Sequence, residues 1–342
     1  MRRVGVLAVA RSDLTPDPEV GTPELAFEVS RAAVEAGGLD RHEIGLTISA
    51  SSDMLEGRSF NFVQGLEALG TWPAVNESHV EMDGAWAAHY AWLKILSGEA
   101  DSALVVAWGK TSEGSLRHLT NSQLDPFVLA PLGLDHVTTA ALQAGAYLAR
   151  TGTTVEDLDA IVERSGAAPV ENDRPVASPL WLRHCPRPAD GACAIVLAAE
   201  GVGDPAKPRA WIAGADHRTE SGALGHRDLS RSPATEAALR RAVAIAGWED
   251  PDDEIPWVAE IGASFAHQEP LLLEALGLTG KAVEVNPSGG ALAADPVIAT
   301  GLIRLAEASS AVMRGRARRA LAHASAGHAL QQSIVWLLEG SS

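Results

Sequence analysis

The chain has 342 residues, of which 46% are hydrophobic and 21% are charged, a globular composition with enough apolar residues for two domain cores. Its formal net charge of −17 disfavours nucleic acid and membrane surfaces as partners, because phosphate backbones and anionic headgroups repel an acidic protein. An anionic ligand would therefore need a local cluster of arginines, backbone donors or a partner chain.

The first 110 residues alternate short apolar runs with helical patterns. Val4–Ala10 is predicted to be a buried strand, and Thr22 is predicted to cap a helix that ends at Gly37. The next predicted elements are strand Ile44–Ala50, helix Phe60–Leu69, strand Val75–Met82, helix Ala85–Leu96 and strand Ala103–Trp108. This alternation predicts right-handed βαβ units and a mainly parallel, covered sheet.

A looser segment, about 109–188, is predicted to be an insertion with helices Val137–Arg150 and Val155–Ser165, followed by strand Ala192–Ala199. The rest of the chain repeats the order of the first half. The elements predicted there are strands Ala210–Ala215, Trp257–Ile261, Ala282–Val285, Ala320–Ala324 and Ser333–Leu338, and helices Ala234–Ala246, Leu271–Leu276 and Pro296–Val312. We therefore predict a duplicated α/β unit, with domains at 1–205 and 206–342.

The two cysteines, Cys185 and Cys193, are predicted to be reduced structural thiols, although a disulfide between them stays an alternative. Their spacing relative to histidines matches no zinc motif, so no metal is predicted. No run of eighteen apolar residues is present, and we expect a cytoplasmic protein that neither spans nor binds a membrane.

Four stretches resemble the sterol-carrier (lipid-transfer) branch of the thiolase superfamily. They are Gly109–Leu116, the run Pro179–Ala192, the pair Phe265 and Glu269, and Asn286–Gly290, which reads NPSGG. The resemblance implies a thiolase fold, an αβαβα five-layer body of two halves with a shortened loop insertion. It also implies a dimer that acts on acyl-CoA thioesters, often with sterol side chains, and in some bacterial members a zinc-ribbon and OB-fold partner chain.

The catalytic motifs implied by the resemblance are altered. The position of the family's nucleophilic cysteine falls on Glu81, and a shift of one or two residues gives only Met82 or Asp83. The histidine of the family's HDCF motif falls on Gly262, and its GHP motif is replaced around Asp295. Thiolysis and Claisen condensation both need a thiolate, so neither is expected of this chain.

Five residues fall near the former site by this alignment: Glu81, Asp295, His267, His323 and His328. Carboxylates and imidazoles suit proton transfer, which makes these residues candidates for a rebuilt acid/base site. The alternative is structural: Glu81, Asp83 and Asp295 could cap helices, and the histidines could be satisfied core residues.

Three functions follow from this pattern. The favoured hypothesis is a thiolase-like subunit of a heteromeric complex that acts on acyl-CoA intermediates from steroid or lipid side chains and is not catalytic as a thiolase. The alternative is a retro-aldolase or acyltransferase with a rebuilt site, and the third is a binding module for a CoA ester or lipid. No covalently bound cofactor is expected, and a CoA thioester would be the substrate.

The predicted dimer edge lies around Val75–Leu96. Trp72, Trp86, Tyr90 and Trp92 lie in or beside this stretch and would form an interface core, unless they fill the core of their own half. We therefore expect a homodimer or a pair with a related thiolase-like chain, in which a charge at Trp86 would break the pairing.

Overall fold

The computed structural model describes residues 2–17, 19–70, 74–204, 206–207, 209–248 and 257–340. The strands are β1 (Val4–Arg11), β2 (Leu46–Ala50), β3 (Glu77–Val80), β4 (Ser102–Lys110), β5 (Pro175–Ala177), β6 (Leu180–Trp181), β7 (Asp190–Ala199), β8 (Ala210–Thr219), β9 (Trp257–Ile261), β10 (Val283–Val285), β11 (Arg319–Ala326) and β12 (Gln332–Glu339). The helices are α1 (Thr22–Gly37), α2 (Asp53–Glu56), α3 (Phe62–Gly65), α4 (Gly84–Leu96), α5 (Leu116–Ser122), α6 (His136–Thr151), α7 (Val155–Ser165), α8 (Pro233–Ala246), α9 (Gln268–Ala275), α10 (Gly290–Ala293) and α11 (Thr300–Met313).

Ten of the strands form one sheet in the order β10-β9-β11-β12-β8-β1-β7-β4-β2-β3. The two five-stranded halves have the same topology, because β1-β7-β4-β2-β3 corresponds to β8-β12-β11-β9-β10 in both order and strand direction. The halves join where β1 pairs with β8 over a short register that includes Gly5 and Trp211. The predicted duplication of the α/β unit is therefore present in the strand order.

The apolar side chains divide the molecule into five layers. The inner helices α4 and α11 contact each other and bury alanine, leucine and tryptophan side chains against the inner faces of both half-sheets. Helix α1 covers the outer face of the first half-sheet, and helices α8 and α9 cover that of the second. The αβαβα fold expected from the resemblance is confirmed, whereas the domain boundary at residue 205 stays a prediction. The insertion helices α6 and α7 pack together in a smaller cluster of their own.

Several of the predicted helices differ from the structure; the helix predicted over Leu271–Leu276, for example, is α9 and starts at Gln268. Thr22 is the first residue of α1 and not its cap, and its hydroxyl donates to Glu56 Oε2 at 3.0 Å. The helix predicted over Phe60–Leu69 is only the short α3. Phe60 has a φ of 56° and lies in the turn before α3, and residues 66–70 form turns after it. The helix predicted from Pro296 begins at Thr300, because Val297 has a φ of 62° and the chain turns there before α11 starts.

The aromatic residues of the predicted dimer edge have different environments. Trp86 and Trp92 pack in the core of their own chain, so a charge at Trp86 would disrupt the fold before it affected any pairing. Tyr90 and Leu93 of α4 are exposed, and Trp72 lies outside the described residues. Strand β3 forms one end of the ten-stranded sheet in this chain. Within the described residues, no helix is long and apolar enough to cross a membrane.

Candidate functional site

A cavity of about 480 Å³ lies where the inner helices α4 and α11 begin. Its walls combine apolar side chains, including Leu55, Leu119, Phe265 and Ile298, with polar ones. The titratable residues on its lining are Glu81, Asp83, His136, Asp295 and His328. A mostly apolar concavity with a few convergent titratable groups is the usual form of a small-molecule site.

Asp83 occupies the point where the two inner helices meet. It is the N-cap of α4, and its Oδ1 accepts the Ala85 N–H at 2.7 Å. Its Oδ2 accepts the N–H of Gly301, in the first turn of α11, at 2.7 Å. Burial raises the pKa of Asp83 to about 7, and the neighbouring Asp295 also raises it, although the two backbone donors and Arg304 act in the opposite direction.

Glycine is required at position 301 for this arrangement. A Cβ at Gly301 would collide with Asp83 Oδ1 and with the Cβ of Ala324. The missing side chain lets the carboxylate reach the N-terminus of a helix that lies 218 residues away in sequence. The sequence predicts Asp83 only as an alternative register for the nucleophile or as a helix cap. It is the cap of α4, and in addition it lines the cavity.

Glu81 lines the cavity. It does not cap α4, so the structural alternative that it caps this helix is wrong. Its Oε1 accepts the N–H of Asp53, the first residue of α2, at 2.6 Å. Its Oε2 lies 3.4 Å from His79 Nε2, and His79 Nδ1 lies 2.9 Å from Ser49 Oγ. About half of the Glu81 side chain is exposed, so this carboxylate lies at the mouth of the site.

Asp295 stabilises the turn that leads into α11. Its Oδ1 accepts the Val297 N–H at 2.9 Å and the Thr300 hydroxyl at 2.6 Å. The N-cap position of α11 is Ala299, so Asp295 supports the helix start through the Thr300 side chain and is not itself the cap. Asp295 is buried and lines the same cavity as Asp83.

The three candidate histidines are not brought together. His328 lines the cavity, but both of its ring nitrogens have partners, Thr139 Oγ1 at 3.1 Å and the Thr120 carbonyl at 2.8 Å. His267 and His323 are fully buried and do not belong to the lining; burial lowers the pKa of each to about 3. Their rings face Gln143 and Ser333 instead.

His136 was missed by the sequence analysis. It is the first residue of α6 and lines the cavity, with its Nδ1 3.3 Å from Thr120 Oγ1. Burial lowers its pKa, and the carboxylates of Asp135 and Asp295 partly offset that effect. The ring is therefore neutral at neutral pH, as a general base requires. The only sequence signal was its position directly after the capping Asp135.

Comparisons with known proteins agree with this architecture. No protein-family model matches the chain. It is 26% identical to an acetyl-CoA acetyltransferase of Methanocaldococcus jannaschii, over 90% of this chain and 89% of the relative, and 27% identical to the benzoylsuccinyl-CoA thiolase subunit BbsB of Thauera aromatica, over 85% of each.

Among solved structures, the chain superposes on an Ltp2-ChsH2(DUF35) aldolase with a TM-score of 0.79 and 19% identity, covering 98% of this chain and 97% of that one. It also superposes on human mitochondrial 3-ketoacyl-CoA thiolase in complex with CoA, with a TM-score of 0.77 and 17% identity, covering 100% and 98%. The chain therefore has the thiolase fold, and its sequence is similar to proteins of the thiolase superfamily.

Neither cysteine of this thiolase-like protein reaches the cavity. Both are free and buried, Cys185 in the small cluster beside α6 and α7 and Cys193 in the middle of β7. Burial raises the pKa of Cys185 to about 12 and also raises that of Cys193, so both thiols are protonated at neutral pH. The predicted reduced thiols are therefore confirmed, and the alternative of a disulfide is wrong.

Among the described residues, no cluster of three or more histidine, cysteine or acidic side chains could hold a metal ion.

Proposed function

We propose that this chain is a cytoplasmic, thiolase-like subunit of a heteromeric complex that acts on acyl-CoA thioesters without thiolase chemistry. One observation carries the proposal: the cavity at the helix starts presents carboxyl and imidazole groups, while both cysteines are buried elsewhere and protonated. The ligand class rests on the relatives, whose names specify acetyl-CoA and benzoylsuccinyl-CoA, and on the thiolase structure with CoA bound.

The direct test is a thiolysis assay with acetoacetyl-CoA and longer β-ketoacyl-CoA esters. We expect no CoA-dependent cleavage, because a thiolate is the nucleophile of that reaction and neither thiol can supply one at the cavity. The C185S and C193S variants serve as matched controls. Cleavage in the wild-type chain that either substitution abolishes would contradict the proposal.

A second candidate function, aldol cleavage, is favoured by His136. A neutral imidazole on the cavity wall can take the hydroxyl proton of a β-hydroxyacyl-CoA. The Cα–Cβ bond then breaks, Cβ becomes a carbonyl carbon, and the electron pair moves onto the thioester as an enolate. Protonation at Cα completes the acyl-CoA product. The structural relative named as an aldolase adds an analogy, and steroid side-chain esters are our proposed substrates.

This reaction is tested with β-hydroxyacyl-CoA esters of short, branched and steroid side chains, by measuring the carbonyl product. We expect cleavage by the wild-type chain with its partner present, and a loss of at least about a hundredfold for H136Q, the lower end for a lost general base. H42Q, on the first half's surface, is the matched control. Unchanged cleavage by H136Q would contradict this role.

The proposed partner is a zinc-ribbon and OB-fold chain, as the family resemblance implies, or a related thiolase-like chain. The aldolase relative is itself named as a complex, with a DUF35 chain. The insertion supports a partner surface, because Phe127, Val128 and Leu132 are exposed apolar side chains within one short loop. Asp125 fixes this loop by accepting the Phe127 and Val128 N–H groups at 3.0 and 2.6 Å. We expect F127E with L132E to weaken co-purification of the partner without lowering the melting temperature. Unchanged co-purification would contradict this surface.

A further inference from the structure

Both inner helices begin on the same carboxyl group. Asp83 uses one oxygen for the Ala85 N–H of α4 and the other for the Gly301 N–H of α11, and the Gly84 N–H joins the two helix starts again by donating to the Ile298 carbonyl at 2.8 Å. A helix cap needs only one acceptor oxygen. The shared carboxyl is therefore fixed from two directions and cannot turn away from its position.

This carboxyl also lies on the cavity wall, whereas a purely structural cap would be equally effective within the core. Each carboxyl oxygen has two acceptor sites, so one remains on each oxygen after the two backbone bonds are made. The charged or titratable groups around it are Asp295, Arg304 and the buried thiol of Cys193, with Glu81, His136 and His328 elsewhere on the same cavity. Only Arg304 among them is always cationic, and its guanidinium is already paired with Glu260 at 2.6 Å.

Burial and Asp295 together raise the pKa of Asp83 to about 7, so the carboxyl exchanges a proton near neutral pH. A group that carries a proton at neutral pH and releases it readily is suited to both directions of a proton transfer. The two helix N-termini stabilise the carboxylate that is left behind.

We propose that Asp83 is a catalytic residue that transfers a proton to and from the α-carbon of an acyl-CoA thioester bound in this cavity. The inference rests on the proposed function for its substrate class. In the cleavage direction, the Asp83 O–H bond breaks as the enolate α-carbon forms a C–H bond, and water then returns a proton to the carboxylate. In the reverse direction, the Asp83 carboxylate takes the α-proton and the electron pair moves onto the thioester oxygen.

The reverse step can be measured without any aldol reaction. Acetyl-CoA and propionyl-CoA are incubated with the protein in D₂O, and deuterium uptake at the α-carbon is followed by proton NMR. We expect exchange above the buffer rate, rising with pH through about 7 as the carboxylate form increases. D83N should reduce this exchange at least about a hundredfold, since an amide cannot accept the proton. Aldol cleavage is assayed separately on the same proteins, so the failure of one proposal can be told from the failure of the other.

E28Q is the control, because Glu28 is an exposed carboxyl on α1 that is not part of the cavity lining. Where D83N folds poorly, D83E keeps a carboxyl but displaces it, and we expect it to fold and to lose exchange as well. Absence of exchange in the wild-type protein at every pH would overturn the role of Asp83, as would exchange that D83N leaves intact. Exchange that depends on Asp83 without any aldol cleavage would retain this inference and reject only the cleavage reaction.

Discussion

The two halves of the molecule share one strand order but differ at the starts of their inner helices. Helix α4 begins with its own side-chain cap, Asp83, whereas the N-cap position of α11 is Ala299, which makes no side-chain cap bond. The first half supplies the carboxyl, and the second half supplies Gly301 and the space beside it. The duplication therefore explains the layers, and the site arises where the copies are no longer equivalent.

The second half holds its inner helix in a different way. Arg304 of α11 donates to Glu260 Oε2 of β9 at 2.6 Å and to Ser288 Oγ at 2.7 Å, and both charged groups are buried. Ser288 belongs to the NPSGG stretch that contributed to the resemblance, and its hydroxyl also donates to Glu260 at 2.7 Å. In the first half, α4 packs through Trp86 and Trp92 instead. One copy thus relies on an ion pair where the other uses aromatic burial.

The largest expected effect is the loss of that ion pair. R304A leaves the Glu260 carboxylate buried and unpaired, which should lower the free energy of unfolding by about 3–5 kcal/mol. Urea denaturation of wild type and variant measures the difference. The control is R31A, which removes an exposed i,i+4 pair with Glu35 and should cost less than about 0.5 kcal/mol. Equal costs for the two variants would show that the buried pair does not hold α11.

The second largest effect is expected on acidification, which should lower the free energy of unfolding through two buried histidines of the second half. His267 and His323 have folded pKa values of about 3, below the value of about 6.5 expected in the unfolded chain. Their neutral burial therefore adds stability that is fully present above pH 6.5 and is lost as pH falls, by about 1.4 kcal/mol per pH unit for each histidine. Asp83 has the opposite sign, because its raised pKa makes the folded state bind the proton more tightly between about pH 4 and 7.

Urea denaturation at pH 7 and pH 5.5 tests this expectation. H323Q should reduce the loss of stability on acidification, because the contribution of the His323 imidazole is removed. D83N should steepen the loss, because the opposing contribution of Asp83 is removed. A pH dependence that neither substitution changes would contradict both assignments. H42Q, at an exposed position of the first half, provides the control.

A smaller effect is expected at the shared helix start. G301A places a methyl group against Asp83 Oδ1 and Ala324, which should cost about 1–3 kcal/mol and displace the carboxyl. G225A is the matched control, because a Cβ at Gly225 would meet nothing within 4 Å. The melting temperature and the α-carbon exchange rate should both fall for G301A and should stay unchanged for G225A. If both variants behave alike, the close approach at position 301 is not needed.

Local patterns in the sequence were sufficient to predict most of the strands and helices of the fold. The predicted bounds of Val155–Ser165 and Trp257–Ile261 agree with the structure, because each segment combines a clear periodicity with flanking turn residues. The helix prediction for Phe60–Leu69 was wrong at its start, because Phe60 has a left-handed backbone conformation within a sequence pattern typical of a helix. Such a turn is set by tertiary contacts and leaves no local signal in the sequence.

The site was only partly predictable for a related reason. Alignment placed Glu81, Asp295 and His328 on the cavity wall, because these residues lie at strand and helix ends that the fold brings together. His323 belongs to strand β11 and His267 directly precedes α9, and neither side chain reaches the cavity lining. The position of Asp83 on the cavity wall depends on its hydrogen bond with Gly301, a residue in the other half. No local sequence motif predicts that contact.

The last prediction concerns the outer edge of the first half, where stability should hardly change. Tyr90 and Leu93 are exposed on α4, and β3 forms the end of the sheet, so we expect a partner to cover this surface. L93E should therefore dissociate a homodimer or a pair with a related thiolase-like chain, while the melting temperature stays within about 2 °C, as expected for a surface change. L142E on α6, at a similarly exposed leucine, should leave the assembly intact. Light scattering measures the mass, and a wild-type monomer of 35.7 kDa, alone and with candidate partner chains, would reject this interface.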